Sequence, residues 1–582
     1  MTSATSDLPR GVVDSAVADS AVVGSAGRDS AGRDSAVLDS AHLGDIRGAL
    51  GTISADDLAA RSSATAKLRT LLAIVGPGLI VMVGDNDAGA FSTYGQAGQN
   101  YGTHLLWTFV LLIPVLYVNQ EMVLRLGAVS GVGHARLILE RFGRFWGAFS
   151  VIDLFLLNAL TIVTEFIGIT LAAGYLGVPK IIAVLLAALV IVASAMTGSF
   201  RRFERIAIAF CAGSLLLIPL YVLSHPPAGQ VATGFVLPSM PGGGGQLATV
   251  MLLIIGIVGT TVAPWQLFFQ QSYVIDKRIT PRFIPYEKAD LVIGIAVVIV
   301  GGAALMGAAA AAFAGTSAAG HYTDAAGLAA GIAAAAGKAA GALFAVALLD
   351  AAMIGAFAVS LSTAYALGDV LGLKHSLHRG VRQAKGFYVL YGTLIAGAAT
   401  IVLIPGSPLG LFTEGVQVLA GVLLPSATVF LLMLCNDKAV LGPWVNGRFT
   451  NAFTGAVIAL LIMLSLILVA SVTDPHISSR QILTIMIGFA CLALIAVAMI
   501  LARGRRQEEG PAHAVPAGGT GPDRQGRPDS VSKQNWRMPA LAMLAPAPMS
   551  IGRRLALTGM WIYLAIAMSA VVFRIAEAAM GR

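Results

Sequence analysis

Thirteen apolar runs, each about long enough to cross a ~30 Å hydrocarbon core, constrain this chain more than any other feature. They fall near 71–99, 104–130, 147–175, 179–197, 203–223, 248–274, 289–313, 341–368, 386–405, 409–434, 452–472, 481–502 and 555–575. Backbone polar groups cannot stay unpaired in lipid, so such runs are expected to be helical. The sequence therefore predicts an all-α polytopic membrane protein, in agreement with 57% apolar and only 12% charged residues.

Lysine and arginine collect in alternate loops between these runs. The intervening loops contain few cationic residues, and neither 224–247 nor 406–408 contains Lys or Arg. By the positive-inside rule, this alternation predicts a cytoplasmic N-terminus and twelve spans that alternate in direction. We expect an integral protein of a bacterial inner membrane, surrounded by lipid. We interpret the net charge of +8 as a determinant of topology, not as a surface for nucleic acid.

The chain divides by composition into four parts. Residues 1–66 carry an imperfect five-residue repeat of Asp-Ser-Ala type, too polar to bury a core, and are predicted to be a disordered cytoplasmic N-terminus. Residues 67–506 form the predicted twelve-helix core, 507–552 a disordered linker rich in Pro and Gly, and 553–582 an accessory C-terminal membrane helix. No disulfide is expected, because the three cysteines lie far apart, at Cys211, Cys435 and Cys491.

Two of the apolar runs are interrupted by residues that weaken a helix. The first contains Asp85 and Asp87, and a charge at bilayer depth costs at least ~3 kcal/mol, which indicates a polar solute there. The sixth contains Pro264, which removes an intrahelical hydrogen bond. A lone proline would indicate only a packing kink. Two interruptions five helices apart instead predict an inverted repeat of five plus five helices with a binding site at the midplane.

Other polar side chains lie inside the predicted spans. Glu121 and Glu165 are candidates for a proton or ion pathway, or else structural acids. Gln417 is neutral and fits either a ligand or an interhelical hydrogen bond.

Motifs in several helices resemble the NRAMP family of divalent-metal transporters. Residues 87–90 followed by Gln-Ala-Gly at 96–98 are similar to the family's Asp-Pro-Gly-Asn break and its Gln-Ala-Gly. Residues 125–131, 165–168 and 417–446 resemble further family motifs of the second, third and tenth helices. The resemblance implies a LeuT-like fold with broken first and sixth helices, plus extra C-terminal helices.

The resemblance also implies a set of metal ligands. These are the side chains of Asp87 and Gln417 and the backbone carbonyls of Gly84 and Thr260. The residues expected to line the site beside them are Asp85, Ala90, Ala263 and Pro264.

Two departures from the family pattern bear on which metal is carried. The family's sixth-helix methionine, a soft ligand, is Ala263 here, and its first-helix asparagine is Ala90. Oxygen-only coordination suits Mg²⁺ or Mn²⁺, and Mg²⁺ keeps waters that need room. The pattern therefore resembles the NRAMP-related magnesium transporter branch.

The family's proton relay is incomplete in this sequence. Its two sixth-helix histidines correspond to Trp265 and Gln270, and its third-helix aspartate corresponds to Ile162. Histidine is the side chain that titrates near neutral pH, so we predict no tight proton coupling. Proton exchange by Asp85 and Glu165 is the remaining route if burial raises their proton affinity.

The sequence therefore predicts a secondary transporter of divalent cations, Mg²⁺ and secondarily Mn²⁺, working by alternating access. The alternatives are a proton-coupled Mn²⁺/Fe²⁺ importer of the NRAMP type and a sodium-coupled organic-solute symporter. No nucleotide-binding or nucleophile motif occurs in a credible context, so we expect neither an enzyme nor a cofactor. The metal ion is the substrate, and the oligomeric state stays open.

Overall fold

A computed structural model of the chain shows a helical membrane protein. It describes residues 40–57, 59–241, 247–405, 409–473, 477–478, 480–491, 495, 530–544, 547, 554, 557–566 and 569. Within this part of the chain, nine helices are long and apolar enough to cross a membrane. A tenth span results if Ala64–Ile74 and Pro77–Val83, which meet at a bend of 53°, are counted as one.

The helices are numbered here in chain order. The first unit contains α1 (Ala64–Ile74), α2 (Pro77–Val83), α3 (Ala88–Tyr101), α4 (Trp107–Ser130), α5 (His134–Phe142), α6 (Arg144–Tyr175), α7 (Lys180–Ala195), α8 (Phe200–Gly213) and α9 (Leu217–Ser224). The second contains α10 (Ala228–Val236), α11 (Leu247–Thr261), α12 (Pro264–Asp276), α13 (Ile284–Phe313), α14 (Ala325–Ala336), α15 (Lys338–Leu371), α16 (Lys385–Leu403) and α17 (Leu409–Cys435). Then follow α18 (Lys438–Leu441), α19 (Arg448–Thr473), α20 (Arg480–Cys491), α21 (Ser530–Asn535) and α22 (Leu557–Ile566).

The two broken helices are the first member of each five-helix unit. In the first unit the break separates α2 from α3, and in the second it separates α11 from α12. Because five spans lie between the two starting points, the second unit enters the membrane from the opposite side. α3 packs against α13, and α11 against α17, so both breaks lie in the centre of the bundle. The predicted LeuT-like inverted repeat is confirmed.

The loops of the described bundle lie on two faces. On one, which we call the N-terminal face, Arg201 donates to the carbonyls of Gly48 and Gly51 at 2.9 and 3.1 Å. On the other, the opposite face, the Gln99 side chain donates to the Ala318 carbonyl at 2.9 Å. The alternation through twelve spans and the cytoplasmic N-terminus stay predictions.

Part of the N-terminal segment predicted to be disordered is folded. Two short strands, β1 (Ile46–Arg47) and β2 (Thr52–Ile53), pair antiparallel with Ile46 opposite Ile53, and both isoleucines are buried. Between them, the Ala49 amide donates to Glu204 of α8 at 2.5 Å. The prediction for 1–66 is therefore wrong over 40–57, because buried polar partners on the core supply what the local composition lacks. Most of the pentad repeat lies outside the described residues.

Part of the predicted linker 507–552 also packs on the core, which corrects that prediction over 530–544. The Trp444 indole donates to the Lys533 carbonyl at 2.9 Å, and the Met538 amide donates to the Val129 carbonyl at 3.5 Å. In α22, Leu557 is buried and the Tyr563 hydroxyl donates to the Val422 carbonyl of α17 at 3.4 Å. A membrane-spanning helix over all of 553–582 extends beyond the described residues and stays a prediction.

Candidate functional site

The break in the first helix follows from its own polar residues. After α2, the amides of Asp85 and Asn86 donate to carbonyls only three residues back, at 3.2 and 3.1 Å, which ends the helix in a tight turn. Asp87 then caps α3, because its Oδ1 accepts the Ala90 amide at 2.9 Å. A carboxylate that accepts the first free amides is a strong helix start. The four residues 84–87 thus stay outside both helices.

Glu165, on α6, stabilises this break by accepting a backbone hydrogen bond that a continuous helix would use. In a continuous helix the Ala88 amide would donate to the Gly84 carbonyl four residues earlier. Here it donates instead to Glu165 Oε2 at 3.1 Å. The Gly84 carbonyl therefore loses its helical donor, which makes it available to a ligand.

The break in the sixth helix has a different cause with the same effect. Pro264 has no amide hydrogen, so the carbonyl of Thr260, four residues earlier, cannot receive a helical hydrogen bond. Ala263 adopts an extended conformation with φ −79° and ψ 145°, and α12 starts at Pro264. Thr260 is buried, with 1% of its surface exposed. A second bare carbonyl therefore lies in the interior.

Gln417 of α17 reaches across to the first break. A Cβ placed on Gly89 would overlap the Gln417 side-chain amide and would lie 3.1 Å from Asp87 Oδ1, so the three residues meet at one point. Among the described residues, Gln417 Nε2 has no hydrogen-bond partner although it is buried. The predicted ligand pair Asp87 and Gln417 is therefore brought together by packing between α3 and α17.

Asp87 and Glu165 lie side by side against α15. A Cβ on Gly355 would be 2.6 Å from Glu165 Oε2 and 2.8 Å from the Asp87 Cβ. Both acids are buried, and within the described part of the chain Glu165 Oε1 has no partner. Two adjacent carboxyl groups in a buried site call for a cation or a proton between them, because an uncompensated buried charge is costly.

Asp85 adds a third buried acid near the same break. It is fully buried, and neither of its oxygens makes a well-formed hydrogen bond to a described residue, although the Gln266 amide of α12 is close enough to interact with it. Gln266 is itself held by Gln120, which donates to it at 2.8 Å. The other predicted lining residues, Ala90 and Ala263, are buried and carry no polar atom beyond the backbone.

The described residues contain no cluster of three or more His, Cys, Asp and Glu side chains spaced as metal ligands. The geometry instead offers a mixed set: the Asp87 carboxylate, the Gln417 amide and two backbone carbonyls. Such a set consists of oxygen donors only, which are the ligands of hard cations.

A cavity of about 130 Å³ leads to this site from the opposite face. It is lined by Thr93, Gln96, Asn100, Gly256 and Gln417, with further residues of α3 and α11. The cavity meets the site at Gln417, while Asp87 and Thr260 are buried beyond its lining.

The N-terminal face of the site is sealed by a buried ion pair. Lys277, after α12, bonds Glu204 Oε1 at 2.7 Å and also donates to the Ile74 and Val75 carbonyls at 2.6 and 2.8 Å. Asp290 of α13 accepts the Gly78 amide at 2.7 Å. These contacts fix the junction of α1 and α2 and close the N-terminal side of the site.

This seal was not predicted from the sequence. Lys277 was visible there only as a loop charge, and the available signal was the presence of Glu204 and Asp290 inside apolar runs. Of the two predicted pathway acids, Glu165 is brought to the site. Glu121 is not, since its partners are Arg125 at 3.1 Å and Lys288 at 2.9 Å in a different cavity.

Comparisons with known proteins agree with this architecture. The family model described as natural resistance-associated macrophage protein-like matches residues 78–471. A divalent metal cation transporter MntH of Ralstonia nicotianae is 29% identical over 426 residues, covering 69% of this chain and 91% of the relative. Divalent metal cation transporter MntH 1 of Pseudomonas aeruginosa is 30% identical over 418 residues, with 68% and 90% covered.

One solved structure supports the same fold. The crystal structure of the Eremococcus coleocola manganese transporter, in complex with an aromatic bis-isothiourea substituted compound, superimposes with a TM-score of 0.57 at 21% identity. The match covers 77% of this chain and 97% of that chain. At this identity the likeness concerns the fold alone.

Proposed function

The chain belongs to the natural resistance-associated macrophage protein (Nramp) family, and we propose that it carries divalent cations across the membrane by alternating access, with Mg²⁺ as the preferred substrate and Mn²⁺ as a second one. The relatives' names, divalent metal cation transporter, support the general activity. The choice of ion rests on the residues of this chain.

One arrangement supports the proposal: Asp87 and Gln417 meet beside the first break, and the two breaks leave the carbonyls of Gly84 and Thr260 without their helical donors. Asp87 supplies the negative charge, and Gln417 and the carbonyls of Gly84 and Thr260 supply neutral oxygens. Broken helices whose freed backbone groups face each other at the midplane are the usual construction of an ion site in a carrier.

The preference for a hard cation follows from two small side chains. Ala263, at the start of α12, offers no thioether, and Ala90 offers no amide, so the first shell contains oxygen only. Mg²⁺ binds oxygen at about 2.0–2.1 Å and gives up its waters reluctantly, so it is usually held by few protein ligands plus water. The space left by two alanines suits those waters.

Charge compensation in this proposal comes from acids. Glu165 lies against Asp87, and Asp85 lies near the same break, so a divalent ion entering from the opposite face meets a negative potential. α12 contains no histidine, and its buried Trp265 and Gln270 lack a titratable group near neutral pH. We therefore propose transport without tight proton coupling.

Alternating access would use the two halves of the broken helices. In the described conformation the Lys277–Glu204 pair and Asp290 hold α2 closed on the N-terminal face. Release of the ion on that face requires these contacts to separate while the cavity at Gln96 and Asn100 closes.

The decisive experiment measures flux of Mg²⁺ and of Mn²⁺ into proteoliposomes that contain a pH-sensitive dye. We expect saturable Mg²⁺ uptake with little acidification, and no uptake with the Asp87→Asn variant. Mn²⁺ uptake with proton entry and without Mg²⁺ uptake would contradict the proposal and favour a proton-coupled importer. Solute uptake that depends on sodium and ignores divalent ions would favour an organic-solute symporter.

A further inference from the structure

A second cavity lies away from the metal site, near the N-terminal face. It encloses about 540 Å³ between α4, α13 and α19. Its polar end contains Arg125, Lys288 and Lys533, together with Glu121. Three cationic side chains thus face a single carboxylate.

After these side chains form ion pairs, a net positive charge remains in the cavity. Glu121 binds both Arg125, at 3.1 Å, and Lys288, at 2.9 Å. Arg125 also donates to the Trp444 carbonyl and, at 2.6 Å, to Asn446 Oδ1, which fixes the guanidinium at the cavity wall. Its buried Nε has no partner among the described residues.

Lys533 adds a cation without an acid of its own. Its ammonium group lies 4.4 Å from the centre of the Trp444 ring, and no described carboxylate forms an ion pair with it. Burial, and then repulsion by Arg125 and Lys288, lowers the pKa of the Lys533 ammonium below its ordinary value. Lys288 keeps 37% of its side chain exposed, so it can reach a further anion. An anion bound here would relieve the mutual repulsion.

Much of the remaining cavity lining is apolar, and Phe449 in the first turn of α19 faces outward. Phe449 is 81% exposed and stacks on Phe453 with 6.4 Å between the ring centres. Val292 lies one helical turn further into the membrane than Lys288, and Ile113 one turn further than Tyr117. Both Val292 and Ile113 are exposed. Exposed apolar side chains on membrane-spanning helices face lipid, so the cavity opens into the bilayer.

The cavity therefore combines a cationic end at the membrane interface with an apolar end in the hydrocarbon region. Basic pockets between membrane helices attract anionic lipid headgroups. Trp444, whose indole lies at the cationic end, is the kind of residue enriched at the interface. A soluble anion would use only half of this arrangement.

We propose that this cavity is a binding site for an anionic phospholipid. Lys288, Lys533 and the guanidinium of Arg125 hold the headgroup phosphate, and the acyl chains lie along Phe449 and Val292. Because Lys533 belongs to α21, the C-terminal segment forms one wall of the site. Lipid binding is then a function of the folded part of that segment.

The test uses the full-length protein in detergent and native mass spectrometry with defined lipids. We expect phosphatidylglycerol to be retained in a saturable way and phosphatidylcholine to be retained at least fivefold less. In the Lys288→Gln/Lys533→Gln variant, retention of phosphatidylglycerol is expected to fall at least fivefold. The matched control, Lys67→Gln/Lys374→Gln, removes two exposed lysines elsewhere on the same face and is expected to leave retention unchanged.

Competition on the wild-type protein distinguishes a lipid from a free anion and does not depend on any variant folding. Inorganic phosphate or glycerol phosphate at millimolar concentration is expected to displace little of the bound lipid. Displacement of most of it would overturn the proposal in favour of a soluble-anion site. Equal retention of the two lipids, or wild-type retention by a double variant that melts at the wild-type temperature, would also overturn it.

Discussion

Replacing Asp87 by asparagine separates the helix-capping contact of this residue from the ligand role that we propose for it. Its Oδ1 caps α3 through the Ala90 amide, and its charge lies where Gln417 converges. Asparagine caps a helix about as well as aspartate, whereas substitution by alanine costs about 0.5–2 kcal/mol. We therefore expect Asp87→Asn to unfold at the wild-type temperature and Asp87→Ala to unfold at a lower one.

The effect on the ion is expected to be much larger. A carboxylate about 4 Å from a divalent ion, at an effective dielectric constant of about 20, contributes about 8 kcal/mol of attraction. If desolvation of the carboxylate and the ion offsets about half of this, about 4 kcal/mol is lost on substitution. Since about 1.4 kcal/mol corresponds to a factor of ten, the Kd for Mg²⁺ should rise about 10³-fold in both variants.

Isothermal titration with Mg²⁺ measures the affinity, and thermal unfolding of the same preparations measures stability. Glu165→Gln is the matched comparison, because it removes the neighbouring charge and keeps an oxygen to accept the Ala88 amide. Asp87→Asn with an affinity within fivefold of wild type would refute Asp87 as a ligand. Equal destabilisation by asparagine and alanine would refute the capping role.

Three further predictions test the site and its seal. Ala263→Met places a soft thioether at the start of α12, so competition assays should show Mg²⁺ transport inhibited by the soft ion Cd²⁺ at least tenfold more strongly. Gly89→Ala drives a methyl group into the Gln417 amide and should weaken Mg²⁺ binding at least tenfold in titrations. Lys277→Met leaves the Glu204 carboxylate buried without its cation and should destabilise the folded protein by about 3–5 kcal/mol, measured by thermal unfolding.

Each of these has a matched control. Ala263→Leu adds bulk without a ligand and should not increase inhibition by Cd²⁺. Gly174→Ala also places a methyl on a helical glycine, but nothing lies within 4 Å of it, so binding should not change. The double variant Lys277→Met/Glu204→Leu removes both charges and should recover most of the stability. A double variant as unstable as the single one would show that the unpaired Glu204 charge does not cause the loss of stability.

The seal and the site lie on the same broken helix, which connects them mechanically. Lys277 donates to the last carbonyls before α2, and α2 leads directly to Gly84 and Asp87. Movement of α2 that opens the N-terminal face therefore also moves the predicted ligands. In the proposed transport cycle, this movement links loss of the seal to release of the ion.

Sequence alone determined those features that local physical chemistry decides. Long apolar runs must be helices in lipid, whereas an acid or a proline in such a run breaks it only in some cases: Pro114 and Glu165 lie in helices that stay continuous. The helical fold was therefore predictable, and the two breaks were predictable because acids or a proline recur at corresponding positions five helices apart. The convergence of Asp87 and Gln417 was expected only because the chain resembles a known family.

Tertiary structure decided what depends on residues far apart in the chain. Glu165 takes the Ala88 amide from 77 positions away, and no local pattern indicates that. Glu121 has the same side chain but meets Arg125 and Lys288, so it serves a different cavity. The hairpin at 46–53 is polar enough to be read as disordered, yet it folds because Glu204 of the core accepts its amide. Burial and partner are properties of the packed bundle, and they assign each acid its role.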